Sequence, residues 1–492
     1  MRILLAIVMS IIFYANSMGQ PYYPSWESLK NQTVPKWYQE GKLGIFIHWG
    51  VYSVPAFGNE WYPRRMYLEG HEVYEHHLNT YGSQSEFGYK DFIPMFKAEK
   101  WDPEEWADLF AKAGAKFVVP VAEHHDGFPM YDCSYTVWDA YDMGPKRDLI
   151  KDLSIAVKKR GLKFGVSSHR AFNWSYYPRG NNYDTNNPFY WGLYGIGHEG
   201  PEAITIETRR YKYLRTSDSF LKDWYARTTE IVDKYEPDLV YFDFAISRQE
   251  FEPWLQKFAA YYYNRGITWN KGVVINYKFA AFPNASAVLD IERGKLGDIN
   301  KRVWQTDTSI WKRSWGYIKN DECKSANDLI DQLIDIVSKN GILLLNIGPK
   351  ADGTIPEQAE EILLDIGKWL KINGDAIYGA RPWKIYGEGP TVQLEGAGGE
   401  FKNTSYTAQD VRYLIGPDDL KVPLYAIALD YPDNEFHFPA IKTDPNKPYK
   451  KVNEVRMLGY SGELEWTQSE SGLKIKLPDI KPGKYAYCFE IH

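Results

Sequence analysis

Leu239-Val240-Tyr241-Phe242-Asp243 is a run of apolar residues closed by one carboxylate. A short continuous apolar run reads as a strand covered on both faces, the form that strands of a parallel sheet take. An unpaired carboxylate is costly to bury, so Asp243 is expected at the exit of that strand. In a barrel of parallel strands, the exit end is where chemistry is placed. Working outward along the chain, other runs end in the same way. Leu43 to Ile47 leads to His48, and Phe117 to Val121 leads to Glu123-His124-His125-Asp126. Leu162 to Ser168 leads to His169, and Val273 to Ile275 leads to Asn276. Each of these alone is an ordinary strand end. Together the five segments predict one shared site.

Helix-like segments sit between the runs. Pro103 to Ala113 has Asp102 to cap it, Pro103 in its first turn and Gly114 to stop it. Leu149 to Lys159, Phe220 to Tyr235 and Leu329 to Lys339 are further helix candidates, and each precedes an apolar run, the last being Ile342 to Leu345. Repeated helix-then-strand units imply parallel pairing. The expected fold is therefore α/β: an irregular (β/α)8-like barrel over residues 20–383, followed by a C-terminal antiparallel β-sandwich over 384–492. The sandwich is read from a change of pattern. Of the 18 Trp only Trp466 lies beyond Trp383, and after about residue 385 the chain turns to short alternating runs such as Val411–Leu414, Leu424–Leu429, Leu473–Leu477 and Tyr485–Phe489. Residues 171–205 form a long segment rich in Tyr, Asn and Gly, of a length that is often functional in a compact domain.

The formal charge of −6 gives no electrostatic case for nucleic-acid binding. Aromatic residues make up 16% of the chain, and rings with polar edges suit sugar faces as well as cores. Residues 1–17 have the pattern of a signal peptide: Arg2, an apolar stretch from Ile3 to Phe13 too short to span a bilayer, and the small-x-small site Ala15-Asn16-Ser17. The expectation is an exported protein with no membrane attachment once the leader is removed. It would be periplasmic or secreted in a bacterium, and lysosomal or extracellular in a eukaryote. Cys133, Cys323 and Cys488 are too few for a disulfide framework and read as buried thiols. Four Asn-x-Ser/Thr sites, at Asn31, Asn173, Asn284 and Asn403, matter only in a eukaryotic secretory pathway. Oligomeric state is not legible.

The chemistry narrows by exclusion. His124 and His125 are adjacent, and neighbours on a strand face opposite ways. With no HExxH or CxxC spacing, no metal and no cofactor are expected. Gly396-Ala397-Gly398-Gly399 is not followed by Lys-Ser/Thr, so it is no phosphate loop, and there is no GxSxG elbow. Carboxylates remain, and a pair of them cleaves glycosidic bonds. Asp243 is the leading nucleophile candidate. Glu60, Glu123, Asp126, Asp290, Glu292, Asp298 and Asp307 are possible partners that spacing does not separate.

Five segments, in order over roughly residues 35–385, carry a family resemblance. They are WYQEGKLGIFIHWG at 37–50 with Glu60-Trp61-Tyr62, HHDGF at 124–128, and Asp243 after its strand. LLLNIGP at 343–349 with DGTIP at 352–356 is the fourth, and GKWL at 367–370 with NGDAIYG at 373–379 the fifth. The chain resembles glycoside hydrolase family 29, the α-L-fucosidases. That resemblance implies a retaining exo-fucosidase without metal, acting on a fucosylated oligosaccharide or glycan. By motif, His48, Glu60, Trp61, His124 and His125 would hold fucose, with Asp243 as nucleophile. His169 stands where members often carry Tyr. Asn276-Tyr277-Lys278 stands where they often have Asn-Asp-Arg, so Lys278, a point donor, replaces a planar fork. Trp315 would pack on the sugar's apolar side. The acid/base position varies in the family. Glu292 is chosen because it follows the Asn276 strand on a loop able to overhang the pocket, and Glu60 is the runner-up. Another retaining exo-glycosidase, such as a galactosidase, and a non-catalytic sugar-binding homologue remain the alternatives from sequence.

Overall fold

The structure is a computed structural model that describes residues 21–179, 183–195, 216–402, 405–417, 423–443 and 451–492. The expected leader, the Asn403 site and part of the 171–205 segment lie outside the described residues. Eight parallel strands close a barrel in chain order: β1 (Leu43–Ile47), β2 (Phe117–Glu123), β3 (Lys163–Ser168), β4 (Leu239–Phe242), β5 (Val274–Lys278), β6 (Val288–Asp290), β7 (Trp304–Ser309) and β8 (Gly341–Ile347). β8 returns to β1 with Ile45 opposite Leu345, while Ile45 also faces Val118 of β2.

The apolar runs work as the strand period requires. Alternate residues point to opposite faces, so Phe46, Val119, Val121, Leu239, Tyr241, Val274 and Leu344 fill the barrel. Ile45, Ile47, Val118, Val240, Phe242, Ile275 and Leu343 pack outward against the helices. The same alternation continues past the strand ends: His48 follows Phe46, Asp243 follows Tyr241 and Lys278 follows Asn276, each two residues on and so on the inner face. Four helices stand close to their expected limits, as Pro103–Lys112, Leu149–Lys159, Asp218–Tyr235 and Ala326–Ser338, and a further helix, Glu357–Asn373, follows β8. Asp102 caps the first, its carboxylate accepting from the Glu104 N–H at 2.8 Å.

Several expectations are corrected. The strand read as ending at Asn276 runs on to Lys278. Asn276 is buried inside the barrel, donating to the Tyr38 hydroxyl at 2.9 Å. β6 and β7 carried no apolar run: β6 is three residues, and β7 reads Trp-Gln-Thr-Asp-Thr-Ser. The links from β5 to β6 and from β6 to β7 contain no helix, which makes the barrel irregular. The described part of the 171–205 segment holds short helical turns, not an open loop. Cys133 and Cys488 are buried, but Cys323 is only partly so.

After the barrel come β9 (Arg381–Glu388), β10 (Val411–Ile415), β11 (Leu424–Ala428), β12 (Glu435–Phe438), β13 (Val455–Met457), β14 (Trp466–Ser469), β15 (Gly472–Lys476) and β16 (Tyr487–Ile491). They form two antiparallel sheets, β13-β16-β11-β10-β9 and β12-β15-β14. Val411, Tyr413 and Phe489 from one sheet share a core with Phe436, Phe438, Leu473 and Ile475 from the other, the packing of a sandwich. The seam with the barrel is charged. Asp335, in helix Ala326–Ser338, meets Arg412 Nε of β10 at 2.7 Å, Lys339 Nζ at 2.9 Å and Lys295 Nζ at 3.7 Å. Among the described residues no helix is long and apolar enough to cross a membrane.

Candidate active site

Parallel strands bring their exits to one end of a barrel, and the site is built there. Asp243 leaves β4 nearly buried, its side chain 7% exposed. Its Oδ2 lies 3.1 Å from His125 Nε2 and 3.3 Å from His169 Nδ1, and its Oδ1 lies 3.0 Å from Lys278 Nζ. Lys278, at the exit of β5, also reaches Glu292 Oε2 at 2.7 Å and Asp307 Oδ2 at 3.3 Å. Glu292 follows β6, a strand the sequence did not reveal, and its side chain stays 37% exposed at the rim.

These contacts split the two carboxyls. Burial would raise Asp243, but the Lys278 ammonium and the rings of His169 and His125 hold it well below the ordinary carboxylate range. Lys278 pulls Glu292 down, yet burial and the charges of Asp307 and Asp243 push it further up, so its carboxyl sits above that range. Burial pulls Lys278 down, and Asp243, Asp307 and Glu292 outweigh it, keeping the ammonium charged. One ionised carboxylate and one carboxyl inclined to keep its proton thus share one cation.

Polar groups line the rest. His48 leaves β1 with Nδ1 at 2.7 Å from Asn346 Oδ1, and Asn346 of β8 donates to Ser309 Oγ at 3.0 Å and to the Trp315 carbonyl at 2.7 Å. The His48 ring lies 5.2 Å from that of His169 and 5.8 Å from that of His124. Burial lowers His48 and His124 well below the ordinary imidazole range, so both are neutral at neutral pH. Buried His124 Nδ1 and His169 Nε2 have no hydrogen-bond partner in the protein, which suits them to sugar hydroxyls. Trp61 packs on the His125 ring at 5.4 Å, and Trp315 on that of His48 at 5.2 Å. Glu60 Oε2 accepts from the Trp315 N–H at 2.9 Å and the Ser314 hydroxyl at 3.2 Å, which ties it to the loop holding Trp315.

The remaining carboxylates separate. Glu123 pairs with Arg170 and Arg227. Asp126 accepts from the Tyr89 hydroxyl at 2.6 Å, with burial raising its carboxyl to about 6. Asp298 is exposed. Asp290 and Asp307 lie inside the barrel below Lys278, bridged by the Tyr241 hydroxyl at 3.3 and 2.9 Å, and Gln305 donates to Asp290 at 2.6 Å. Burial and the Asp307 charge push Asp290 well above the ordinary range, so it carries a proton. Tyr241 and Asn346 escaped a reading based on strand ends because they lie within strands, and Asp307, named from sequence only as a possible partner carboxylate, lies within one too.

Two triads among the described residues fall within metal-ligand reach: His48-His124-His169 and His125-His169-Asp243. His124 and His125 fall in different triads, as their opposite facing requires. The sequence spacing did not show that His48 and His169 arrive from other strands. In the second triad Asp243 is already paired with an ammonium. Two clefts lie elsewhere, one of about 720 Å³ in the sandwich and one of about 350 Å³ where sandwich and barrel meet, and neither is lined by any of the predicted site residues.

Known proteins resemble this chain over most of its length. A family model described as alpha-L-fucosidase matches residues 11–375, and one described as alpha-L-fucosidase C-terminal domain matches residues 403–492. The tissue alpha-L-fucosidase of Rattus norvegicus is 31% identical over 472 residues, covering 94% of this chain and 90% of that protein. The plasma alpha-L-fucosidase of Homo sapiens is 31% identical over 473 residues, covering 93% and 88%. The crystal structure of Thermotoga maritima alpha-fucosidase in complex with a mechanism-based inhibitor is 30% identical, with a TM-score of 0.75 and coverage of 96% of this chain and 99% of that one.

Proposed function

The chain belongs to the α-L-fucosidase family of glycoside hydrolases, and on that premise we propose that Asp243 and Glu292 release terminal α-L-fucose by double displacement with retention. The observation that carries this reading is Lys278, whose ammonium touches Asp243 Oδ1 at 3.0 Å and Glu292 Oε2 at 2.7 Å. Those two oxygens can lie no farther apart than the two contacts end to end, about 5.7 Å, a limit that admits the roughly 5–5.5 Å that retention requires between carboxyls.

In the first step the ionised Asp243 attacks the anomeric carbon while Glu292 gives its proton to the glycosidic oxygen. Lys278 is a donor only, so Glu292 Oε2 accepts from it and the proton sits on Oε1. When Asp243 becomes an ester, its charge is lost, and that charge had helped to raise Glu292. Glu292 then falls toward the ionised form it needs to take a proton from water. His48, Glu60, Trp61, His124, His125, His169 and Trp315 surround the sugar, with neutral rings at His48 and His124 to bond its hydroxyls. No metal or cofactor has a part in these steps. The barrel over 20–383 carries the chemistry and the sandwich over 384–492 follows it. The leader pattern at 1–17 supports export, periplasmic or secreted, or lysosomal in a eukaryote.

A general acid matters most for a poor leaving group. Glu292→Ala is therefore expected to hydrolyse oligosaccharides very slowly, to release an activated aryl group in the first step, and to form an α-fucosyl azide with added azide, which attacks the β-linked fucosyl-Asp243 from the face of the lost carboxyl. Wild-type behaviour of Glu292→Ala, with azide rescue of Glu60→Ala in its place, transfers the role to Glu60.

A further inference from the structure

We infer that Glu400, in the connection between β9 and β10, is a positioning residue for the acid/base, acting on the Glu292 loop through Arg293. This rests on the assignment of Glu292 above. The connection runs antiparallel beside the loop that follows β6. The N–H groups of Gly396, Gly398 and Glu400 donate to the carbonyls of Lys295, Glu292 and Arg293 at 2.8, 2.8 and 3.1 Å. The approach is so close that a Cβ at Gly294 would meet the Gly396 carbonyl oxygen at 2.1 Å.

Arg293, next to Glu292, has φ 44°, in the left-handed region that a side-chain-bearing residue holds only when its surroundings impose it. What imposes it is visible. Glu400 Oε1 accepts from Arg293 Nη1 at 2.8 Å, Oε2 accepts from the Thr308 hydroxyl at 2.5 Å, and Lys324 Nζ lies 2.9 Å from both oxygens. The Arg293 guanidinium lies over the Trp315 ring at 4.6 Å, so the same anchor reaches the pocket wall. The Glu400 side chain is 7% exposed. Burial would raise its carboxyl, and Lys324 and Arg293 hold it below the ordinary range. An uncharged residue here leaves two buried cations facing each other beside the loop, and the loop relaxes away from its strained turn. A proton donor displaced by a fraction of an ångström loses much of its effect.

The test is kcat/KM for wild type, Glu400→Gln and Glu292→Ala on aryl α-L-fucosides of graded leaving-group acidity. Wild type is expected to be nearly flat across the series and Glu292→Ala steep. Glu400→Gln should fall between them, losing about 10-fold on the most acidic leaving group and on the order of 100-fold on the least acidic. A purely structural role lowers kcat/KM on every substrate alike, with a lower melting temperature and no change of slope. A uniform loss in Glu400→Gln beside a steep Glu292→Ala overturns this inference alone, whereas a flat Glu292→Ala overturns the Glu292 assignment and this inference with it. If Glu400→Gln does not fold, Arg293→Lys removes the planar fork while keeping the charge. A steeper slope than wild type supports the inference, and a flat one defeats it.

Discussion

At the barrel mouth one ammonium, Lys278, faces the three carboxylates of Asp243, Glu292 and Asp307; at the seam with the sandwich one carboxylate, Asp335, faces the three cations Arg412, Lys339 and Lys295. Both clusters are buried apart from Glu292 at the rim, and both hold their central charge firmly. They differ in what the surplus does. At the seam the surplus cations keep Asp335 far below the ordinary carboxylate range, so Asp335 stays ionised at neutral pH and ties the barrel to the sandwich. At the mouth the surplus carboxylates compete for one cation. The one nearest the histidines wins its ionised form, and the one at the rim is left above its ordinary value. The lesson is that too many charges of one sign around a single partner make a titrating device only where that sign belongs to the titrating groups and one of them reaches solvent.

Removing the cation at the mouth tests that difference most severely. Lys278→Met is expected to lower kcat/KM by roughly 100- to 1,000-fold, a loss typical of one lost electrostatic contact in a closed site. Lys278 lowers both Asp243 and Glu292, so both would rise without it. Both limbs of the pH profile should therefore move to higher pH. A profile of reduced height in an unmoved position contradicts the tuning role.

The opposite outcome is expected at the seam. Asp335→Asn leaves three buried cations without their partner, and breaking a buried pair in this way costs about 3–5 kcal/mol. Urea unfolding should show that loss above pH 5. Asp335 has a depressed folded pKa, so its contribution is present above its unfolded value near 4 and is lost as pH falls through the folded one; the variant and wild type should therefore converge in acid. Activity per folded molecule should stay within about twofold, since Asp335 touches none of the reacting groups. A large fall in kcat/KM at unchanged stability would erase the distinction between the clusters. The smallest effect concerns the histidine triads. Dialysis against a strong chelator is expected to leave activity unchanged, and a loss restored by a divalent ion would mean that the charge at the mouth is not all the protein's own.

Sequence legibility follows the same division. Strands covered on both faces, such as β1, β2 and β4, announce themselves as apolar runs, and His48, His124, His169 and Asp243 stand at or just past the ends of such strands. β7 was invisible because its inward residues, Gln305 and Asp307, are polar, Gln305 bonding Tyr38 and Asp290 and Asp307 Oδ2 accepting from Tyr241. Glu292 was read as standing on the loop after the Asn276 strand, but β6 intervenes, so the loop that carries it follows β6 and not β5. Glu400 carried no signal at all. Its partners lie roughly 75 to 110 residues away in sequence, and only the folded connection between β9 and β10 brings it to Arg293 and Lys324.

The most direct measurement is to trap the covalent intermediate. An activated 2-deoxy-2-fluoro-α-L-fucoside slows both steps, the second more, so the fucosyl-enzyme accumulates and its peptides can be mapped by mass. The expected result is one added fluorofucosyl group on the peptide that contains Asp243, and none in Asp243→Gly. Label on Glu60, Glu123 or any other carboxylate, with Asp243 unmodified, would contradict the account.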